Sequence, residues 1–572
     1  MNMKKRLLST VCTLLFALAI NAQNTDVAPD KTGMTLSAQE WDKNVVMGWN
    51  LGNSLESSGG ETGWGNPATT KAMIQFVKSQ GFNAIRIPVR WTEQLSDQTN
   101  MIVKDAWLKR VKEIVDWCLA EDMYVIINTH HEAWLDRNPF YTQQKENNRK
   151  LAALWKCIAT YFRDYDQRLA FAGTNETVAK VNGQENWGTP TAEWQAVQNS
   201  YNQTFIDAVR ATGGKNYYRH LVVQTYACSG WSGLSGFTVP TDVVECRLSV
   251  EFHDYDPYEY AGSGAYYYWG RKYKDMGKRT PNDDETAMKN YFDRIVNSWW
   301  KKGLGVVLGE YGATCHYTTD DKQTQMENLQ YYYKCMVSAA RERGFAAFAW
   351  DNNAFGNGTE KFGIFRRVGS TMTVGNTYSL QGICEGAGVE YHEPEDPGGG
   401  DDPAEGTLFW EGNSVLDWGN GLQLIIPASE FEAQGKDVRL ILQFTLDYTD
   451  YNMIQLFYGD WSANPSFIIN GETYEKEYIP TNLYPVGNGE SCTSTLTFSE
   501  SVYNILIQKG VALQGHGVRL NKVLLANGTS GIQPVAAQPT TDPYYYSIDG
   551  RRTTSPTRGL YIHNGQKMVI GK

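Results

Sequence analysis

At 572 residues the chain is too long for one ordinary core and calls for two domains plus appendages. A content of 41% hydrophobic and 20% charged residues excludes both a disordered and a membrane-embedded class. With a net charge of −11 and no Lys/Arg block beyond the N-terminus, electrostatic nucleic-acid binding is excluded as well. The 18 Trp and 34 Tyr form a surplus suited to flat, polar, ring-shaped ligands such as sugars.

The chain begins with Lys4-Lys-Arg6, an apolar run over 7–20 and a cleavage point after Ala22. This pattern predicts a secretory signal peptide over 1–22, too short to cross a bilayer, and hence an exported protein, extracellular or at the cell surface. Cys12 lacks the small preceding residues of a lipoprotein signal. The other eight cysteines, at 118, 157, 228, 246, 315, 335, 384 and 492, show no metal-ligand spacing and are predicted to be mostly small buried hydrophobes.

Strands are predicted over 45–53, 84–90, 123–130, 169–176, 221–226, 247–253, 305–310 and 345–350. Helices are predicted over 69–80, 105–120, 147–161, 195–211, 285–301 and 324–343. This alternation predicts an α/β domain over 35–390, a (β/α)8 TIM barrel rather than an open sheet. The strand ends carry Asn53, Arg90, His130, Glu176, Tyr226, His253, Glu310 and Trp350, a bias that places the site on the C-terminal face. Residues 391–406 read as a Pro/Gly/Asp linker. An all-β sandwich module follows over 407–528, with strands at 408–410, 422–426, 438–446, 453–458, 495–498, 504–508 and 518–525. A tail over 529–572 holds two hairpin turns, Asp549-Gly550 and Asn564-Gly565.

Glu176 and Glu310 are carboxylates presented by two apolar strands, which suits an acid and a nucleophile in glycoside hydrolysis with retention. Such a pair needs neighbours that separate its pKa values. Arg86 can hold Glu310 ionised, His253 and Tyr255 share a loop, and Trp350 can floor a sugar subsite. The run His130-His-Glu132 raises the thought of a metal, but adjacent strand residues point to opposite faces.

In order along the chain stand Gly48-Trp-Asn-Leu-Gly-Asn53, Glu61-Thr-Gly-Trp-Gly-Asn-Pro67, Arg86-Ile-Pro-Val89, Asn128-Thr-His-His-Glu132 and Asn175-Glu176. His253-Asp-Tyr-Asp-Pro-Tyr258, Gly309-Glu-Tyr-Gly312 and Trp350-Asp-Asn352 follow. These motifs resemble glycoside hydrolase family 5, and subfamily 4 most closely. The resemblance implies a retaining endo-β-1,4-glucanase with no metal or cofactor, acting on β-glucan. It makes Glu176 the acid/base and Glu310 the nucleophile. It assigns Asn175 to the sugar 2-hydroxyl, Arg86, His130, His253 and Tyr255 to the supporting shell, and Trp350 to stacking. Asn53, Trp64, His131 and Trp134 are further candidates for substrate contact. Thr177 stands where the family usually has proline, so the turn beside the leaving group lacks that stiffening.

Two rivals share these residues. One is a β-mannanase or xyloglucan-preferring enzyme on the same fold. The other is a catalytically inactive carbohydrate-binding protein, which the presence of both carboxylates and Arg86 argues against. In the C-terminal module Trp410, Trp418, Tyr448, Tyr451, Tyr458 and Trp461 are either a sugar platform or a core, and the module is a candidate carbohydrate-binding module. The tail resembles the C-terminal sorting tails of exported Bacteroidetes proteins, which implies contact with export machinery. The alternative is a plain terminal hairpin.

Overall fold

Eight short parallel strands close on themselves. They are β1 (Gly48–Asn50), β2 (Ala84–Ile87), β3 (Tyr124–Asn128), β4 (Leu169–Ala172), β5 (Leu221–Ser229), β6 (Leu248–Asp254), β7 (Gly305–Tyr311) and β8 (Ala346–Ala349). Each pairs with its sequence neighbours and β8 pairs back onto β1, giving the closed barrel that the alternation predicts. This computed structural model describes residues 25–391 except 282, and 407–526 except 420, 447–451, 470–471, 475–477 and 480–490. In the tail it describes 545–547, 552–553, 559–563 and 566–570. The signal segment, residues 392–406 of the linker, Tyr448, Tyr451 and both tail turns lie outside the described residues.

The helices around the barrel are α1 (Lys71–Ser79), α2 (Asp105–Ala120), α3 (Tyr141–Tyr161), α4 (Ala192–Ala211), α5 (Gly230–Gly236), α6 (Glu285–Ser298), α7 (Lys322–Glu342) and α8 (Thr377–Ala387). Their starts follow ordinary capping. Thr70 and Thr191 accept the Met73 and Trp194 amides, and Asp284 accepts those of Thr286 and Ala287. α1 buries Met73, Ile74 and Val77, one helical stripe against the barrel. α3 starts six residues before its predicted position because its first turns are polar and show no apolar period. α8 has no counterpart among the predicted helices. It lies close against α7, where a Cβ at Gly382 would come within 2.3 Å of the Gln330 carbonyl.

The first four predicted strands and the eighth overrun the ladder at their C-terminal ends, as 169–176 does where β4 stops at Ala172, whereas β5, β6 and β7 run past their predicted ends. Asn53, Arg90, His130, Glu176 and Trp350 thus lie beyond the ladder, while Tyr226, His253 and Glu310 remain in it. β5 ends in two successive non-glycine residues at positive φ, Ala227 (56°) and Cys228 (46°), where the pairing with β6 slips.

A second compact unit begins beyond residue 400. Its residues 407–526 hold two four-stranded antiparallel sheets, and the described tail strands pair in a third. One runs in the order β9 (Thr407–Leu416), β16 (Val518–Ala526), β11 (Arg439–Leu446), β14 (Ser491–Leu496). The other runs β10 (Leu424–Ile426), β15 (Val511–His516), β12 (Met453–Tyr458), β13 (Tyr478–Ile479). Alternate residues are buried, as in Leu440, Leu442, Phe444 and Leu446 of β11 and Ile454, Leu456 and Tyr458 of β12. One predicted strand is wrong: 504–508 lies within a helix, Glu500–Lys509. Ser499 caps it, and Val502 and Leu506 bury at i,i+4 spacing, a helical period that the short apolar window hid. None of the eight described cysteines is joined in a disulfide, and Cys118, Cys228, Cys384 and Cys492 are buried while Cys246 is exposed.

Candidate active site

The barrel mouth is organised by Arg86, fully buried on β2. Its Nη1 donates to Glu310 Oε1 at 3.0 Å and to Asn50 Oδ1 at 2.9 Å, while Nη2 donates to Asn175 Oδ1 at 2.7 Å. Its Nε lies 3.0 Å from Glu251 Oε1. One guanidinium thereby ties β1, β4, β6 and β7 together, which suits its rigid fork of donors. Burial disfavours its charge, but Glu251 and Glu310 outweigh burial and hold the cation more firmly than usual.

Glu310 accepts a second hydrogen bond from Tyr255 Oη at 3.0 Å. Burial pushes its carboxyl up, and the charges of His253 and Arg86 with the Tyr255 bond oppose that rise without cancelling it. Glu176 differs, because a quarter of its side chain is exposed and its Oε1 lies 2.7 Å from His253 Nδ1. Burial raises this carboxyl too, but the hydrogen bond and charge of His253 prevail and set it below the usual range. The two carboxylates are thus shifted in the reverse of the order a retaining hydrolase needs at the moment of bond cleavage, Glu310 up and Glu176 down. His253 is one hydrogen bond away from Glu176. Burial lowers that ring's proton affinity, yet the acidic groups about it, Cys228, Glu310 and Glu176, raise it well above the usual histidine range.

Asn175 is held on both sides, by Arg86 and by His130, whose Nε2 lies 3.3 Å from the amide nitrogen. His130 is buried, and burial together with the nearby charges of His131, Arg86 and His253 keeps it neutral, so it accepts from Asn175. The Trp350 ring lies parallel to His130 with centroids 6.1 Å apart, half-buried at the end of β8. These predicted residues converge: Arg86, His130, Asn175, Glu176, His253, Tyr255, Glu310 and Trp350.

The four further candidates are placed less uniformly. Trp64 is 42% exposed, under the Arg90 guanidinium and against His131, which in turn touches His130. Burial and the Arg90 charge lower the His131 ring to about 4. Asn53 sits at φ 55° in the loop after β1, next to Gly52, which packs on Trp350. Trp134 belongs to a different network. Its indole donates to Thr92 Oγ1 at 2.7 Å, and Thr92 and the Trp91 amide serve the buried carboxylate of Glu132. Glu132 is thus consumed away from His130 and His131, but not by strand alternation: β3 stops at Asn128, His131 turns at φ 57°, and the two histidine rings meet with centroids 4.4 Å apart. Two strand-end residues also serve elsewhere. Arg90 pairs with Glu93 at 2.7 Å, and the Tyr226 hydroxyl takes the Ala179 amide and donates to the Asn186 carbonyl.

Those last bonds define the wall beside Glu176. Residues 179–181 and 184–186 form a small hairpin whose two ends meet on Tyr226. Thr177 is fully buried, its carbonyl accepts from Ala227 at 3.0 Å, and Val178 donates to Asp136 at 2.8 Å. Hydrogen bonds thereby fix the turn that a proline would have stiffened. Arg137 reaches the Glu176 carbonyl at 3.3 Å, pairs with Glu185 at 2.6 Å and lies 5.9 Å from the exposed Trp187 ring.

The sequence reading passed over Asn50, Gln224 and Glu251. Each is a polar residue inside an apolar strand, and Glu251 lies two residues before His253, on the same face. Oxygen and nitrogen atoms of Glu176, His253 and Glu310 gather within 4.8 Å of one another, as an ion site would. His253, however, faces carboxylates at both ring nitrogens, 2.7 Å from Glu176 and 3.3 Å from Glu251, and a ring that donates twice has no lone pair for a metal.

Residues 49–356 match the family model of cellulase, glycosyl hydrolase family 5. Endoglucanase A of Clostridium longisporum is 35% identical over 386 residues, covering 64% of this chain and 70% of the relative. The Bacteroides ovatus family 5 xyloglucanase in complex with a XXXG heptasaccharide superimposes with a TM-score of 0.59 at 32% identity, over 64% of this chain and 80% of that one. A subfamily 4 broad-specificity endoglucanase from Ruminococcus champanellensis with bound cellotriose gives 0.53 at 34% identity, over 61% and 98%. Family model, relatives and barrel agree: this chain belongs to glycosyl hydrolase family 5 and is a glycoside hydrolase of the cellulase type.

Proposed function

We propose that this chain is an exported, retaining endo-β-1,4-glucanase that cleaves internal bonds of a β-glucan by double displacement. The observation that carries the reading is the carboxylate pair. Oxygens of Glu176 and Glu310 approach within 4.8 Å, in keeping with the roughly 5–5.5 Å between carboxyl groups of retaining enzymes. Glu310, immobilised by Arg86 and Tyr255, attacks C1. Glu176, partly open to solvent, protonates the leaving oxygen and then deprotonates the water that releases the product. The free N–H of the Asn175 amide is directed to the 2-hydroxyl, and Trp350 floors the sugar. Trp64 and His131 extend the contact surface.

Similarity to endoglucanases and to a xyloglucanase supports a β-1,4-glucan backbone as substrate, with cellulose, mixed-linkage glucan and xyloglucan as its forms. The leading segment 1–22 supports export, and no described helix is long and apolar enough to cross a membrane. Residues 35–390 form the catalytic domain and 407–528 a module that holds the enzyme on insoluble glucan. Purified protein is to be incubated with carboxymethylcellulose, mixed-linkage glucan, xyloglucan, mannan and xylan. New reducing ends on the glucans, first released in the β configuration, support the proposal. First products in the α configuration, or release from mannan alone, refute it.

A further inference from the structure

β6 carries three buried polar residues on one face: Ser249, Glu251 and His253. Ser249 donates to Asp42 at 2.8 Å, and His253 reaches Glu176. Glu251 lies between them with no exposed surface, out of reach of any substrate. Its Oε1 is 3.0 Å from Arg86 Nε and 3.3 Å from His253 Nε2, and its Oε2 accepts from Gln224 Nε2 at 2.6 Å. Gln224 is fixed in turn, since its Oε1 accepts from the Thr174 amide at 2.8 Å.

The opposite strand makes room for this carboxylate. A Cβ at Gly309 would stand 1.9 Å from Glu251 Oε1, so the residue before Glu310 has no space for a side chain. The pairing of β6 with β7 slips at the same place, from Phe252 opposite Leu308 to His253 opposite Glu310. Glu251 is ionised. Burial opposes its charge, but the Arg86 cation and the hydrogen bond and charge of His253 hold it below the usual range.

Several charged or titratable groups therefore surround His253: Arg86 on β2, His130 beyond β3, Glu176 beyond β4, Cys228 on β5, Glu251 on its own strand, and Glu310 with Tyr255. Glu251 lies 3.3 Å from Nε2, Glu176 and Glu310 lie on the Nδ1 side, and Cys228 hydrogen-bonds the ring. We propose that Glu251 is a positioning residue for the acid step: by fixing the Nε2–H end of His253 it keeps a proton at Nδ1, from which Glu176 is charged. This rests on Glu176 and Glu310 acting as proposed above.

The proton accounting closes. As the leaving oxygen arrives, the proton crosses the 2.7 Å bond from Nδ1 to Glu176. Glu176 gives it to the leaving oxygen while the C1–O bond breaks and Glu310 bonds to C1. Water then attacks C1, Glu310 leaves, and the water's proton passes through Glu176 back to Nδ1. Nothing is oxidised or reduced.

The test is Glu251→Gln in the full chain, which keeps shape and removes charge. Without that charge His253 gives up its proton at lower pH, so the alkaline limb of kcat/KM should move about one unit toward acid. Loss above neutrality should be on the order of tenfold or more for cello-oligosaccharides, and slight for a 2,4-dinitrophenyl cellobioside, whose leaving group needs no acid. Superimposable pH profiles, or equal losses on both substrates, overturn the proposal. Should the variant not fold, nitrogen NMR of histidine-labelled wild-type protein decides, with His253 assigned by loss of its signal in His253→Asn. A doubly protonated ring at pH 7 supports the proposal, and a neutral ring at pH 6 overturns it. Failure of the underlying roles is distinguishable, because Glu176→Ala would then hydrolyse both substrates at wild-type rates.

Discussion

The barrel and the C-terminal sheets bury different things. Arg86, Asn128, His130, Asn175, Gln224, Glu251, His253 and Glu310 are all at least nine-tenths buried inside one strand cylinder, and they satisfy one another. Among the described residues from 407 to 526, Ser494 is the single polar side chain that is comparably buried. The C-terminal sheets are an apolar core whose aromatic residues divide between inside and outside, with Tyr458 buried, Trp418 half-buried and stacked on His516, and Trp461 36% exposed. Buried charge is costly unless mutually paired. A chain that concentrates it in one place has a chemical reason there, and a chain that avoids it has only packing to serve. The difference separates a reacting centre from a surface that can at most bind.

Removing charges from the barrel centre should therefore end chemistry, while changes to the sheets should leave chemistry alone. The largest effect is expected for Glu310→Ala, a loss of turnover on the order of 10⁴-fold or more on any glucan, measured by reducing-end release. Glu176→Ala should lose roughly 10²–10⁴-fold on unactivated substrate, with azide restoring part of the rate as a glycosyl azide product. Wild-type turnover in that variant would erase the distinction between the two regions. Arg86→Met leaves Glu251 and Glu310 buried without their shared cation, and urea unfolding of the barrel should show a cost of about 3–5 kcal/mol. In the sheets, Leu506→Ala opens a cavity worth about 2–4 kcal/mol without altering hydrolysis of soluble chains. The smallest effect is expected from deleting 404–572, which should weaken retention on insoluble glucan and spare soluble activity. Unchanged retention would make the module a spacer.

Much of the barrel was legible because each strand is an apolar run between helices with a clear period, and each run ends in a polar residue. His130, Glu176, His253, Glu310 and Trp350 could be read because they stand at those ends, and Arg86, Asn175 and Tyr255 because they complete motifs in family order. Glu251 and Gln224 could not, since a charged or amide residue inside a strand looks like an interruption until its partners on three other strands are in place. The helix Glu500–Lys509 was misread for the converse reason. Its central apolar residues fit a strand over five positions, and only the cap at Ser499 and the burial of Val502 with Leu506 reveal the longer period. For Tyr226, a place near the C-terminal end of a strand says where the side chain starts, not what it meets.

What Tyr226 meets has a use. A single phenol oxygen receives the first residue of the hairpin beside Glu176 and returns a bond to its last, Ala179 to Asn186. Both ends of the insert are clamped at one atom, and Glu176 is held through His253, which stands outside the insert. The stretch between the clamps is thus a cassette. Its tip at Asn182-Gly183 can be lengthened, shortened or exchanged for a relative's without disturbing the acid, and libraries built there should alter acceptor preference, including transfer to alcohols other than water, while the reacting carboxylates stay where they are.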